Sequence, residues 1–255
     1  EARSVKLEIV IVDNGSTDGS LELVHSAKNK VQSDLIKFTV IENKENLGFT
    51  GGNNVGIKYA MENNADYIML LNSDTLVDKN LIVQLIKVAE LDPKIGIIGP
   101  KIYFASGHEY KKKYQTKDKG KVIWYAGGLI DWNNVLLSHR GVDEVDQGQY
   151  DKISETDFVT GCCLLIKRQV IEKIGLLDDK DFLYLEDADF CQKAKLAGYK
   201  ICYAPEGKLW HLNAGSSSVG GNLQDYFITR NRLFFGIKYA TLKTKTALFK
   251  QAVRL

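Results

Sequence analysis

Short β-rich apolar runs alternate with stretches of helical period through the first hundred residues, and that alternation restricts the chain to a sheet with helices on its faces. Residues 7–12 open the pattern as a buried strand. After a turn at Asn14 and Gly15, Leu21, Leu23 and Val24 mark a helix, residues 36–41 a second strand, and a loop rich in glycine and asparagine leads to a helix near 55–61. Residues 67–71 are a continuous apolar run bounded by polar residues, the composition of a central strand buried on both faces. A third helix follows over about 78–91, ended by Pro93, and 95–98 is the next strand. The fold class is therefore α/β, with a Rossmann-like, mostly parallel sheet flanked by helices.

Beyond this point the chain turns polar over 106–120, where Lys111, Lys112, Lys113, Lys117, Lys119 and Lys121 crowd a surface loop or flap. Strand character returns at 160–167 and 201–204, with a short helix at 168–174 between them. Residues 226–255 read as one or two cationic helices with Leu233, Phe234, Phe235, Ile237 and Leu242 at apolar positions. Such a segment docks on its own domain by default, and it also suits a partner or an anionic membrane surface. The expected division is thus 1–225 and 226–255. Thirty-four Lys and Arg against 32 Asp and Glu leave too balanced a charge for nucleic-acid binding along a whole face. No apolar run approaches the roughly 18 to 20 residues of a spanning helix, and the first residues do not resemble a signal peptide. The four cysteines, Cys162, Cys163, Cys191 and Cys202, lack metal or disulfide spacing and read as buried, reduced thiols of a cytosolic protein.

In an open parallel sheet, ligands bind beyond the carboxyl ends of strands. Three such loops carry candidate chemistry. Asp13 ends the first strand and leads into Ser16 to Ser20, where a tight turn with a helix cap competes evenly with a ligand loop. Asn46, Gly48, Gly52 and Asn53 lie in a glycine-rich segment whose exposed amides would favour an anion, although its order is neither that of a P-loop nor G-x-G-x-x-G. Asn72, Ser73 and Asp74 follow the most hydrophobic strand, where a carboxylate can hold a hard divalent cation against a diphosphate. A phosphatase reading of the same segment fails because position 72 is an amide. Further on, Glu186, Asp187 and Asp189 open a helix that ends at Gly198. Asp187 shares the apolar stripe of Phe190, Cys191 and Ala194, whereas Glu186, Asp189 and Lys193 share a different face. Asp187 is thereby expected to point inward and to be the better general base.

Taken in order, these segments resemble the inverting nucleotide-sugar glycosyltransferases of family 2, which have the GT-A fold, and especially their rhamnosyltransferase-like branch. Residues 12–20 look like the nucleotide-binding turn, 46–56 like the glycine and asparagine segment, and Asn72, Ser73 and Asp74 like the metal-binding Asp-x-Asp. Thr160, Gly161 and Cys162 resemble the acceptor-side strand, Glu186 to Asp189 the Glu-Asp-x-Asp catalytic helix, His211 after Trp210 the following histidine, and Arg230 with Asn231 a late Arg-Asn pair. The resemblance covers roughly residues 7–231.

The resemblance implies that Asp13, Asn46, Gly48, Gly52, Asn53 and Ser73 contact a UDP-, dTDP- or GDP-sugar, and that Asp74 with His211 holds Mg²⁺ or Mn²⁺. Gly161 and Glu186 would line the acceptor side and Asp187 would take the acceptor proton. A structural role competes evenly for His211. The acceptor would be a glycan or lipid-linked glycan; the expected location is the cytoplasm, with the inner face of the membrane as the option that peripheral contact through 226–255 would allow, and no nucleic acid is expected as a partner. Two departures stand out: one carboxylate replaces two in the metal motif, and the family's first strand and helix, about thirty residues, are unmatched. The chain is therefore expected to be the catalytic portion of something longer. A non-catalytic domain of this fold that binds carbohydrate or nucleotide is the alternative, and a nucleotidyltransferase is a distant third.

Overall fold

The strand β1 (Leu7–Asp13) is followed by α1 (Ser20–Lys30), β2 (Ile36–Glu42) and α2 (Gly48–Glu62), and β1 pairs in parallel with β2 from Leu7 opposite Ile36 to Asp13 opposite Glu42. These elements are seen in a computed structural model that describes residues 6–30, 36–110, 114–212 and 221–252; Lys111, Lys112 and Lys113 and the last three residues lie outside it. Together with Leu177–Leu183 they form one of two compact units.

The glycine-rich segment expected as a loop is instead the first half of α2, which starts at Gly48 rather than near Val55. Glycine inside a helix costs about 1 kcal/mol relative to alanine, so a closer contact has to compensate. Here it is the approach to β1 and its turn. A Cβ at Gly56 would lie 3.3 Å from Val12, and one at Gly52 3.2 Å from the Asn14 amide. Gly48 itself has φ +74, and a Cβ there would sit 2.4 Å from the Phe182 ring. Asn54 anchors the returning segment, donating to the Leu177 carbonyl at 3.0 Å and accepting the Leu177 N–H at 3.1 Å.

The second unit, Asp66–Leu176 with Tyr184–Leu255, begins with β3 (Tyr67–Leu71), β4 (Thr75–Val77), α3 (Leu81–Ala89) and β5 (Ile95–Phe104). Five short or medium strands follow: β6 (Ile123–Tyr125), β7 (Gly128–Asp131), β8 (Leu136–His139), β9 (Ser154–Glu155) and β10 (Cys163–Lys167). The unit ends with α4 (Arg168–Ile174), α5 (Glu186–Leu196), β11 (Lys200–His211), α6 (Asn222–Tyr239) and α7 (Leu242–Ala252). The sheet order is β3-β10-β5-β11-β4, with β6 added to β5 and β9 to β11, while β7 and β8 form a separate hairpin. Because β10 is antiparallel to both β3 and β5, and β11 is parallel to β5, the strands β3, β5 and β11 all run the same way. The expected parallel arrangement describes these and the β1–β2 pair. It is interrupted by the reversed β10 and by the antiparallel two- and three-residue strands β4, β6 and β9.

β5 runs past the expected 95–98, through Gly99, Pro100 and Lys101 to Phe104. Pro100 is tolerated at an irregularity, since the register of β11 shifts between Ala204 and Lys208 beside it. Lys101 is wholly buried and holds Asp146 at 2.8 Å and Asp151 at 2.5 Å. Its charge is satisfied by carboxylates that lie 45 and 50 positions away. The core of this unit collects Leu85, Ile98, Ile102, Leu165, Tyr203 and Leu209, with Cys162, Cys163 and Cys202 among them as small apolar side chains. All four cysteines are buried and free. Among the described residues no helix is long and apolar enough to cross a membrane.

Candidate active site

The loop that follows β3 is pinned at several points. Asn72 N–H donates to the Cys162 carbonyl, the Thr75 hydroxyl to the Asn72 carbonyl, and Leu212 N–H to the Asp74 carbonyl. Pairing of β11 with β4 sets His211 opposite Thr75. The consequence is that His211 Nε2 and Asp74 Oδ1 stand 3.1 Å apart although 137 positions separate them in the chain. Burial pulls the His211 pKa below the ordinary histidine value, and the Asp74 carboxylate acts against that shift. His211 is therefore neutral at physiological pH. Its other nitrogen, Nδ1, is buried with no hydrogen-bond partner among the described residues. Ser73, between the two pinned ends, is exposed.

Trp124 meets the His211 ring edge to face at 4.7 Å and the His139 ring at 4.5 Å on β8. His139 Nδ1 contacts the Trp124 carbonyl at 3.2 Å, and burial pushes its pKa down to about 4. Neither residue was singled out in the sequence, because a lone His and Trp in short strands carry no periodic signal. A histidine whose folded pKa is depressed binds fewer protons folded than unfolded between about 4 and 6.5, so its contribution to stability is full above 6.5 and falls with pH. The expected loss is about 3 kcal/mol on going from pH 7 to pH 4. Chemical denaturation of the unsubstituted chain and His139→Gln across that range measures it as a difference. Parallel pH profiles for the two would sink the assignment.

Asp187 sits in the opening turn of α5, with Oδ2 accepting the Gly161 N–H at 2.9 Å and Oδ1 its neighbour Ala188 N–H at 2.7 Å. Burial raises its carboxyl pKa, and the backbone donors offset part of that rise. The chain enters α5 through Tyr184 and Leu185, both with left-handed backbone, φ +68 and +66. Such residues cost about 1 kcal/mol or more each and persist only where surroundings enforce them. Part of that enforcement comes from Asn231, buried on α6, which donates to the Tyr184 carbonyl at 2.8 Å.

Glu186 and Asp189 share a face other than that of Asp187, as expected, but that face is also buried, and Asp187, expected as the inward acid, is only half-buried. The reason is that α6 covers the second face of α5. Asp189 Oδ1 accepts Lys238 Nζ at 2.8 Å and the Tyr239 hydroxyl at 3.0 Å, while Lys193 lies 3.2 Å from Oδ2. Asp189 thus holds α6 in place. The one or two cationic helices expected over 226–255 are two, α6 and α7, and the first starts earlier, at Asn222.

In the first unit, Asp13 Oδ2 accepts the N–H groups of Gly15 and Ser16 at 3.2 and 3.1 Å, and its pKa is kept low first by the Ser16 side chain and then by these backbone bonds. Asn14 is the hub that sequence reasoning passed over. Its amide donates to Asn46 Oδ1 at 3.0 Å and to the Gly48 carbonyl at 2.9 Å, while its oxygen accepts from Asn43 and the Leu47 N–H. Asn46, Gly48 and Gly52 therefore gather around Asn14. Asn53 stands apart and donates to the Phe49 carbonyl within α2.

Residues 3–175, more than half of the chain, match the family model described as glycosyl transferase family 2. The chain belongs to that family. It is 28% identical over 207 residues to a poly-beta-1,6-N-acetyl-D-glucosamine synthase of Staphylococcus aureus strain COL, which covers 81% of this chain and 43% of that protein. It is 27% identical over 195 residues to the low-salt glycan biosynthesis hexosyltransferase Agl10 of Haloferax volcanii, covering 76% and 55%. The chain spans about half the length of the curated relatives it matches. Its fold is that of a mannosyltransferase from Pyrobaculum calidifontis solved in complex with GDP-Man and Mn²⁺, at TM-score 0.57 and 17% identity, covering 96% of this chain and 59% of that one. The architecture of this family 2 member is accordingly GT-A, an α/β sheet flanked by helices.

Proposed function

We propose that this chain transfers a sugar from a nucleoside-diphosphate donor to an acceptor hydroxyl with inversion, using residues 1–225 as the catalytic domain and 226–255 as a helical segment beside it. The observation that carries the reading is the half-buried carboxylate of Asp187, oriented by the Gly161 and Ala188 N–H groups and raised in pKa by desolvation. In its ionised form such a group can take a proton from an acceptor oxygen, and a raised pKa makes it the stronger base. As that oxygen bonds to the anomeric carbon, the carbon–phosphate-oxygen bond breaks and its electron pair leaves with the diphosphate. Gly161 and Glu186 would face the acceptor, a glycan or lipid-linked glycan. Asp13, Asn46, Gly48, Gly52, Asn53 and Ser73 would meet a UDP-, dTDP- or GDP-sugar.

Asp74 and His211 would hold Mg²⁺ or Mn²⁺. Their spacing of 3.1 Å suits adjacent ligands of one octahedral ion with bonds of about 2.0 to 2.1 Å, and His211 is neutral, as a metal ligand must be. Among the described residues no third His, Cys, Asp or Glu joins them. That fits a cation held by few protein groups and completed by diphosphate and water. When bound, the ion neutralises charge developing on the leaving group.

Thermal denaturation with UDP, dTDP and GDP, each with Mn²⁺, tests the donor class. A nucleotide at about 100 times its Kd adds about 2.7 kcal/mol and should raise Tm by about 5 to 10 °C in a chain of this size. Failure of all three to shift Tm would count against the proposal.

A further inference from the structure

One face of α6 is fixed inward by buried Phe227, Asn231 and Phe235, the last stacked on Trp132 at 5.7 Å. A second stripe, centred about 100° around the helix from the first, carries exposed apolar side chains about Arg230, whose guanidinium lies over the Tyr226, Phe227 and Phe234 rings. Leu223, Tyr226, Arg230, Phe234 and Ile237 follow at steps of three and four, within an arc of about 80° on a helix of 3.6 residues per turn, and the four apolar ones are 46–60% exposed. α7 crosses α6 closely at Gly236, where a Cβ would lie 2.3 Å from Leu248. It adds Leu242 and Phe249, exposed by 78% and 72%. Between the two helices runs a groove of about 490 Å³ walled by Leu233, Ile237, Leu248 and Phe249, with Lys245 and Lys250 at its margin.

We propose that α6 and α7 form a docking surface for an anionic lipid bilayer. α7 carries Lys243, Lys245 and Lys250 and no acid, and the only acid from 222 to 252 is Asp225. Exposed aromatic and aliphatic side chains beside uncompensated lysines are the composition of helices that lie in a membrane interface. A second copy of the chain fits less well, since its lysines would meet these with no carboxylate on α7 to pair them. The surface does not depend on the transfer reaction, so either reading can fail without the other.

Co-sedimentation of the 255-residue chain with vesicles is the test. Equal parts phosphatidylglycerol and phosphatidylcholine should bind it about tenfold or more tightly than phosphatidylcholine alone, and raising salt from about 0.1 M to about 1 M should release it, because the screening length falls from about 10 Å to 3 Å. Joint substitution Lys243→Glu, Lys245→Glu and Lys250→Glu should weaken binding about tenfold or more, and Phe249→Ser should weaken it with an unchanged melting temperature. Equal binding to both vesicles, binding indifferent to salt, or a charge-reversed chain that binds as before overturns the proposal. So does self-association through this face without vesicle binding. The lipid and salt comparisons use the unsubstituted chain and hold even if a variant fails to fold.

Discussion

Asp187→Asn is expected to lower turnover by about 10²- to 10⁴-fold, the usual contribution of a general base, while nucleotide affinity stays within about twofold. The amide has the shape of the acid and its oxygen can still accept the Gly161 N–H, while its NH2 then faces the Ala188 N–H, so the shape of the turn is kept at the loss of one hydrogen bond. What is lost is the proton acceptor. In the unsubstituted chain, activity should fall as pH drops through the Asp187 pKa, because only the ionised form accepts a proton. Burial raises that pKa, so the acid limb of kcat/KM should lie above the ordinary carboxylate range. Stability has the opposite sign. A carboxyl whose folded pKa exceeds its unfolded value contributes stability below the unfolded value and loses it as pH rises through the folded one. At pH 7 Asp187→Asn removes that penalty and loses the bond to the Ala188 N–H, so its melting temperature should fall less, relative to the unsubstituted chain, at pH 7 than at acid pH. Release of nucleoside diphosphate in the presence of an oligosaccharide acceptor measures the effect, and unchanged release would remove Asp187 as the base.

Asp74→Ala should abolish the dependence of nucleotide binding on Mn²⁺ and weaken affinity in its presence by about 100-fold, the scale seen when a metal site loses a supporting group. A second readout is independent of nucleotide. The Asp74 carboxylate raises the His211 pKa against the larger effect of burial, so its removal should drive the His211 titration further down. An NMR titration of the imidazole signals reads this directly. Equal affinity with and without Mn²⁺ in the unsubstituted chain would withdraw the cation from Asp74. An unmoved His211 titration in Asp74→Ala would show that the pair is not electrostatically joined.

Much of the local architecture was legible. The runs at 7–12, 36–41 and 67–71 become β1, β2 and β3, and 168–174 becomes α4, because each is short, periodic or uniformly apolar and bounded by polar residues. The errors share one cause. Gly52 and Gly56 look like loop until β1 and the turn after it are known to lie against them. Gly99, Pro100 and Lys101 look like a turn until the irregularity in β11 and the carboxylates of Asp146 and Asp151 are in place. Asp189 looks solvated until α6 covers it with Lys238 and Tyr239.

By itself, then, the sequence determined which stretches are strands and helices, that the class is α/β, and which polar residues stand at strand ends where ligands are met. Only the tertiary structure decided that β10 runs against its neighbours and that α5 is buried on two faces, and it gave the pairing of Asp74 with His211, which only the family resemblance implied, its spacing of 3.1 Å. Periodicity records whether a side chain leaves water, a property of a few consecutive residues. What it then touches depends on elements that arrive from 50 or 137 positions away, and no local pattern carries that information.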